Sequence, residues 1–260
     1  MIIFDFLRKV KKSIFGSTVM RLDISNLPSQ GFFYKNDFIL KIKEAEISDI
    51  NEYEKNYIKD DIGVIIYYVK KIVERNIILD NGYKYDDIKS IDIIYIFLEI
   101  VKLTRNKKII LRYFNVDKNK EDTIEFCNTN FNYFRLNELA SYYNNEDKLF
   151  NIHGYKFTLP SIGIENSLTK YLISKSNEDN SSKYNDYFYD FTFFLNNRNK
   201  LSESEIDNLI NIFNFDIDDN ELVKIKDIID KFSLIQRYSL IKDDRIIELN
   251  SKIDLEKIWK

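Results

Sequence analysis

Near the start of the chain apolar positions alternate with polar ones, first at Leu22 and Ile24, then at Phe38, Leu40 and Ile42. A period of two predicts two strands. The stretch between them, Leu27-Pro28-Ser29-Gln30-Gly31, reads as a strand-to-hairpin connector. Pro28 biases Leu27 toward extended geometry, and Gly31 can take a positive φ where the chain turns. The period then lengthens. Ser48 can cap a helix over residues 49–59. A second helix is predicted over residues 61–79, with Ile62, Ile65, Ile66, Val69 and Val73 on one face. Asp80-Asn81-Gly82 breaks it. Residues 86–106 read as a long, mostly buried helix with basic residues at its end.

Beyond residue 106 the pattern returns to strands over 107–139, with a polar hairpin tip near residues 117–122. Residues 148–163 read as another hairpin that turns at His153-Gly154 and runs into Leu159-Pro160-Ser161-Ile162-Gly163. The tail is mainly helical, at residues 165–176, 184–195, 203–213 and 220–231, with a loop over 177–183. Ser202-Glu203-Ser204-Glu205 is a capping-box pattern. A short strand pair is expected at 234–241 and 245–249, then one last helical turn docked by Trp259. The pattern therefore predicts an α+β fold. It divides into an N-terminal amphipathic helix (1–18), a β-hairpin with helices (19–106), a β-rich insert (107–163) and a mainly helical C-terminal part (164–260).

In the N-terminal stretch Ile3, Leu7, Val10 and Ile14 share one helical stripe, with Arg8, Lys9, Lys11 and Lys12 largely elsewhere. The charges follow the apolar residues, the wrong order for a secretory signal. A packed or partner-docking helix is expected, with a membrane-surface helix as the alternative. No apolar run reaches the ~20 residues that cross a bilayer, because Asp92 and Glu99 interrupt the longest one.

Composition narrows the class. The chain has 260 residues, 44% hydrophobic and 31% charged, which suits a globular protein and argues against disorder. Its net charge of −3 gives no global support for a nucleic-acid role. Lys9, Lys11, Lys12, Lys107, Lys108 and Arg112 could still meet phosphates. One cysteine, Cys127, excludes an internal disulfide.

Catalytic signatures are sparse. His153 is the one histidine and sits at a predicted turn, where a surface role is expected rather than a triad. Cys127 reads as a buried or half-buried strand residue, and nothing in the sequence marks it as a nucleophile. Cys127 and His153 together are too few for a protein-only zinc site. Asp216-Ile217-Asp218-Asp219-Asn220 resembles the start of a calcium loop, but Glu221 stands where glycine is needed, so acids at a helix N-terminus are expected. No glycine-rich phosphate loop can be written. Carboxylates abound, and a carboxylate-dependent hydrolase is the enzymatic alternative. The helix over 184–195, with Tyr187, Phe188, Phe191 and Phe194, is apolar too widely for a single packed face. It reads as a central helix, an interface, or both.

The chain has two prolines and six glycines, and the two Leu-Pro-Ser-x-Gly segments use both prolines and two of the glycines. Convergent turn chemistry explains the repeat better than duplication, because the residues after Gly31 and Gly163 do not match. The order of signals is a strand, then Leu27-Pro28-Ser29-Gln30-Gly31-Phe32-Phe33-Tyr34, a second strand, apolar helices, a β-insert, the second Leu-Pro-Ser-x-Gly and an acidic helical tail. Over residues 20–235 this order resembles the T-even-type baseplate hub and hub-assembly protein family of contractile-tailed bacteriophages. Some relatives carry a Cys-x-x-Cys knuckle in the insert, whereas this chain has Cys127-Asn128-Thr129-Asn130. The resemblance implies a virion or virion-assembly protein, in the tail baseplate or in the host cytoplasm during assembly. It implies a binding protein that contacts other tail proteins or itself, with no enzyme activity, cofactor, metal or small-molecule substrate. The expected interaction surfaces are Leu27, Pro28, Gly31, Phe32, Phe33 and Tyr34, the N-terminal helix with Leu7 and Val10, and the aromatic helix with Tyr187, Phe188, Phe191 and Phe194.

Overall fold

A computed structural model describes residues 18–57, 62–115, 117–127, 131–133, 136, 139–152, 155–176, 200–215, 218–236, 239–242 and 245–248. The N-terminal helix with Leu7 and Val10, the aromatic helix with Tyr187, Phe188, Phe191 and Phe194, the His153-Gly154 turn and Trp259 lie outside the described residues.

The fold is α+β, with helices and small antiparallel sheets. Strands β1 (Val19–Arg21), β2 (Leu40–Lys43) and β3 (Ile77–Leu79) form one sheet in the order β1-β2-β3. β2 is central, and its alternation is strict: Leu40 and Ile42 are buried while Lys41 and Lys43 are half-exposed. β3 corrects a prediction. The helix expected over 61–79 is α2 (Ile62–Asn76), and its last three residues leave it to pair with β2. Asn76 closes the helix by donating from Nδ2 to the Ile72 carbonyl at 2.8 Å. The β-branched Ile77 and Ile78 suit the pleated sheet better than one more helical turn.

Helix α1 (Ile47–Tyr57) precedes α2, so Ser48 lies within it rather than capping it. The Glu46 N–H donates to Asp49 Oδ2 at 3.2 Å, so a carboxylate two residues into the helix closes its start. Helix α3 (Ile93–Arg105) is buried from Ile93 through Val101 and ends on Asn106 in the left-handed region at φ 51°. The helix expected over 86–106 thus starts late. Residues Tyr85–Asp87 and Ser90–Asp92 form two 3₁₀ turns instead.

In the expected β-insert, β4 (Ile110–Asn115) and β5 (Lys120–Glu125) make a two-stranded ribbon. β6 (Tyr143–Asn144), β7 (Leu149–Ile152) and β8 (Tyr155–Phe157) make a third sheet, in which Ile152 pairs with Tyr155 across the expected turn. Helices α4 (Ile162–Ser176), α5 (Glu203–Phe215) and α6 (Asp219–Gln236) follow, then β9 (Ser239–Lys242) paired with β10 (Arg245–Glu248). Helix α6 begins at Asp219, the fourth residue of the calcium-like stretch, whose Asp216 and Ile217 lie outside the described residues. There Asp218 Oδ1 accepts from the Glu221 N–H at 2.8 Å, as a helix cap does. The Ser202 box is formed too: the Ser202 N–H donates to Glu205 Oε2 at 2.9 Å, and Ser202 Oγ accepts from the Glu205 N–H at 3.4 Å.

The main core crosses the expected boundaries at 106/107 and 163/164. Leu40, Ile42, Val69, Val73 and most of α3 share it with Ile109, Leu111, Phe126, Phe131, Ile162 and Leu240. A smaller core joins α4 to α5 through Ile164, Tyr171, Leu201 and Ile206. There Tyr171 Oη donates to Asp207 Oδ1 at 2.6 Å.

Candidate functional site at the junction of the two Leu-Pro-Ser segments

The two Leu-Pro-Ser-x-Gly segments meet at one short stretch of chain, residues 88–92, the first on the Asp92 side chain and the second on the backbone. The first is a loop. Gln30 and Gly31 take successive positive φ values of 51° and 73°, which turn the chain back. A Cβ built on Gly31 would lie 3.2 Å from Ile24 Cγ1, so both conformation and space favour glycine. The turn aims Ser29 at Asp92. The Ser29 N–H donates to Asp92 Oδ1 at 2.9 Å, and Ser29 Oγ donates to Oδ2 at 2.8 Å. Tyr34 Oη donates to the same Oδ2 at 2.7 Å and accepts the Lys89 N–H at 2.9 Å.

The second segment approaches from the other side and is a helix start. Ser161 pairs with Lys89 in an antiparallel bridge. The Ser90 N–H donates to the Pro160 carbonyl and the Ile162 N–H to the Ile88 carbonyl, both at 2.9 Å. Ser161 Oγ accepts the Ile164 N–H at 3.4 Å and caps α4, and Gly163 lies in the first helical turn. The shared letters thus do different work at the two places, consistent with convergent turn chemistry.

The electrostatics of the junction follow from burial. Asp92 is 0% exposed and Lys89 5%. Burial pushes the Asp92 carboxyl up to about 6 against its three hydrogen-bond donors and the nearby Lys89 charge. Burial pulls the Lys89 ammonium down to about 8, opposed by the charges of Asp92 and Asp87. Lys89 Nζ donates to Thr158 Oγ1 at 3.2 Å, which ties the strand before the second motif to the same turn. Tyr34 is pushed well above the usual tyrosine range, first by burial and then by the Asp92 charge.

The residues expected to present a docking surface are differently placed. Leu27, Pro28, Phe33 and Tyr34 are buried, and Gly31 and Phe32 are half-buried. The Tyr34 ring stacks on Phe38, while the rings of Phe32 and Phe33 face the chain's own third sheet. Phe33 lies 5.6 Å from Phe150, Tyr143 sits edge-on to Phe32 and Phe33, and Tyr143 Oη donates to the Phe32 carbonyl. These side chains join two sheets of one molecule, because large aromatic rings beside a turn are worth more buried than exposed.

A second polar cluster lies on α1 and α2. Arg75 Nη1 donates to Asp49 Oδ1 at 2.8 Å and Asn76 Nδ2 to Oδ2 at 3.1 Å. Burial raises the Asp49 carboxyl, but Arg75, Asn76 and the Glu46 N–H outweigh it and hold it below the usual range. Lys108 Nζ lies 2.9 Å from Glu125, and Arg112 Nη1 lies 4.0 Å from Glu121, so both cations considered for phosphates have acidic neighbours. Among the described residues no group of three or more His, Cys, Asp or Glu side chains is placed to hold a metal ion. No described helix is long and apolar enough to cross a membrane.

No protein-family model, curated protein or solved structure matches this chain. Its reading therefore rests on its own residues. Sequence reasoning singled out the two motifs and missed what they grip. Asp92 and Glu99 stood out only as charges interrupting an apolar run. A carboxylate inside such a run is itself the signal, since it needs buried donors.

Proposed function

We propose that the protein is a non-enzymatic component of a contractile-tail baseplate hub, or a factor that assembles that hub, and that it works through contacts with other tail proteins. The order of motifs along residues 20–235 supports the reading. The observation that carries it is the junction at residues 88–92. There Ser29 and Tyr34 of the first segment bond to Asp92 and Lys89, and the backbone of the second segment bonds to Ile88 and Ser90. Groups committed in this way hold a scaffold in one shape, which suits a part that must present a defined surface.

Mass spectrometry of purified virions from the source, set against infected-cell lysate, tests the proposal. Stoichiometric presence in particles makes it a structural baseplate component. Presence in lysate alone makes it an assembly factor. Absence from both overturns the reading, as does a purified chain that stays monomeric and ignores every tail protein of its own phage.

A further inference from the structure

Among the described residues, no strand pairs with the outer edge of β4 in the β4–β5 ribbon, and the chemistry of that edge points to a partner. The Phe126 N–H donates to the Ile109 carbonyl at 2.9 Å, which sets the phase of the antiparallel ladder. Residues 111, 113 and 115 of β4 therefore bond to β5, and the N–H and C=O groups of Ile110, Arg112 and Phe114 point away from it. No described residue supplies a backbone partner for those outward groups. The side chains of the same three residues share the outer face, where Ile110 is 54% and Phe114 55% exposed, while Leu111 and Tyr113 on the inner face are buried. Arg112 stands between the two apolar residues. Its one ion pair among the described residues is with Glu121, 4.0 Å away and itself exposed, which leaves most of a five-donor guanidinium for another acceptor.

We propose that the β4 edge binds an extended segment of a partner protein carrying apolar, acidic and apolar residues at alternate positions, which adds as a third strand. The proposal rests on reading the chain as a binding protein and names the surface and the partner's chemistry. Backbone hydrogen bonds hold the added strand, and alternate side chains select it. Two apolar residues meet Ile110 and Phe114, and a carboxylate takes the fork of Arg112. A second copy of the chain is a poor occupant. The two-fold register that matches outward groups of β4 to themselves and sets Ile110 opposite Phe114 also sets Arg112 against Arg112, and like charges directly opposite destabilise a sheet. Arg112 thus discourages self-pairing and selects an acidic strand.

The test uses the full chain and the synthetic peptide Thr-Val-Thr-Glu-Thr-Val-Thr, with a version carrying Lys in place of Glu as control. The glutamate peptide is expected to shift the amide resonances of Ile110, Arg112 and Phe114 and to slow their hydrogen exchange. The lysine peptide binds about fivefold more weakly, and Arg112→Glu reverses the order. Arg112→Pro removes one outward N–H without touching the β4–β5 bonds, so it abolishes binding while the far-ultraviolet circular dichroism is unchanged. If Arg112→Pro does not fold, the charge reversal still decides. Unmoved amides at millimolar peptide overturn the proposal. So does equal binding of both peptides by wild type and Arg112→Glu, or a wild-type dimer that protects this edge. Particles that contain the protein while the edge ignores peptide sink the edge alone. Peptide binding without particles sinks only the tail reading.

Discussion

Two buried aspartates show how residues of one type acquire opposite pH behaviour. Asp49 has a cation and two further donors, and its carboxyl sits below its unfolded value. Its contribution is present above the usual carboxylate range and is lost as pH falls through the folded value. Asp92 is raised from 3.8 to about 6, so between those values the folded chain binds the extra proton and stability falls as pH rises. That difference corresponds to about 3 kcal/mol at most. Denaturant unfolding between pH 4 and 6 is expected to slope downward for wild type and to lie flatter for Asp92→Asn; matching slopes would refute the assignment. Gly31→Ala places a Cβ at φ +73° and 3.2 Å from Ile24. We expect a loss of about 1–2 kcal/mol in urea unfolding. Wild-type stability there would remove the case for a glycine-specific turn.

Elements are held by caps and by alternation. The Ser202–Glu205 box closes the start of α5 with reciprocal hydrogen bonds. Ser202→Ala should cost about 1 kcal/mol and speed hydrogen exchange in the first turn of α5 without changing α3. In the central strand of the first sheet, Ile42 is fully buried and pairs with Met20 on one side and Ile77 on the other. Ile42→Ala is expected to lose about 2–4 kcal/mol by removing packed volume that its neighbours cannot refill. A loss under about 1 kcal/mol would mean that the sheet tolerates a void at its centre. Helix α2 illustrates an element decided from outside. A continuous apolar helical pattern runs to Leu79, yet the available edge of β2 takes the last three residues.

At the scale of the whole molecule, α3 is the axis. Its buried face meets the first sheet, the β4–β5 ribbon and Leu240 of β9 in one core. Its amides are therefore expected to exchange last, near the global unfolding limit, and those at the outward edge of β4 early. Early exchange throughout α3 would mean the core does not unfold as one unit.

The sequence by itself determined the class and most elements, because periodicity, caps and turn residues act locally. The α+β mixture, the hairpin with its tip near residue 117, the Ser202 cap and the positive φ at Gly31 were legible for that reason. Contacts distant along the chain were not. Ser29 and Asp92 are 63 residues apart, and Lys89 and Thr158 are 69 apart. Only the tertiary structure brought the two Leu-Pro-Ser segments onto residues 88–92 and turned Phe33 and Tyr34 inward. It also broke the predicted helix before Ile93, where buried Asp92 had to reach donors that its own neighbours do not supply.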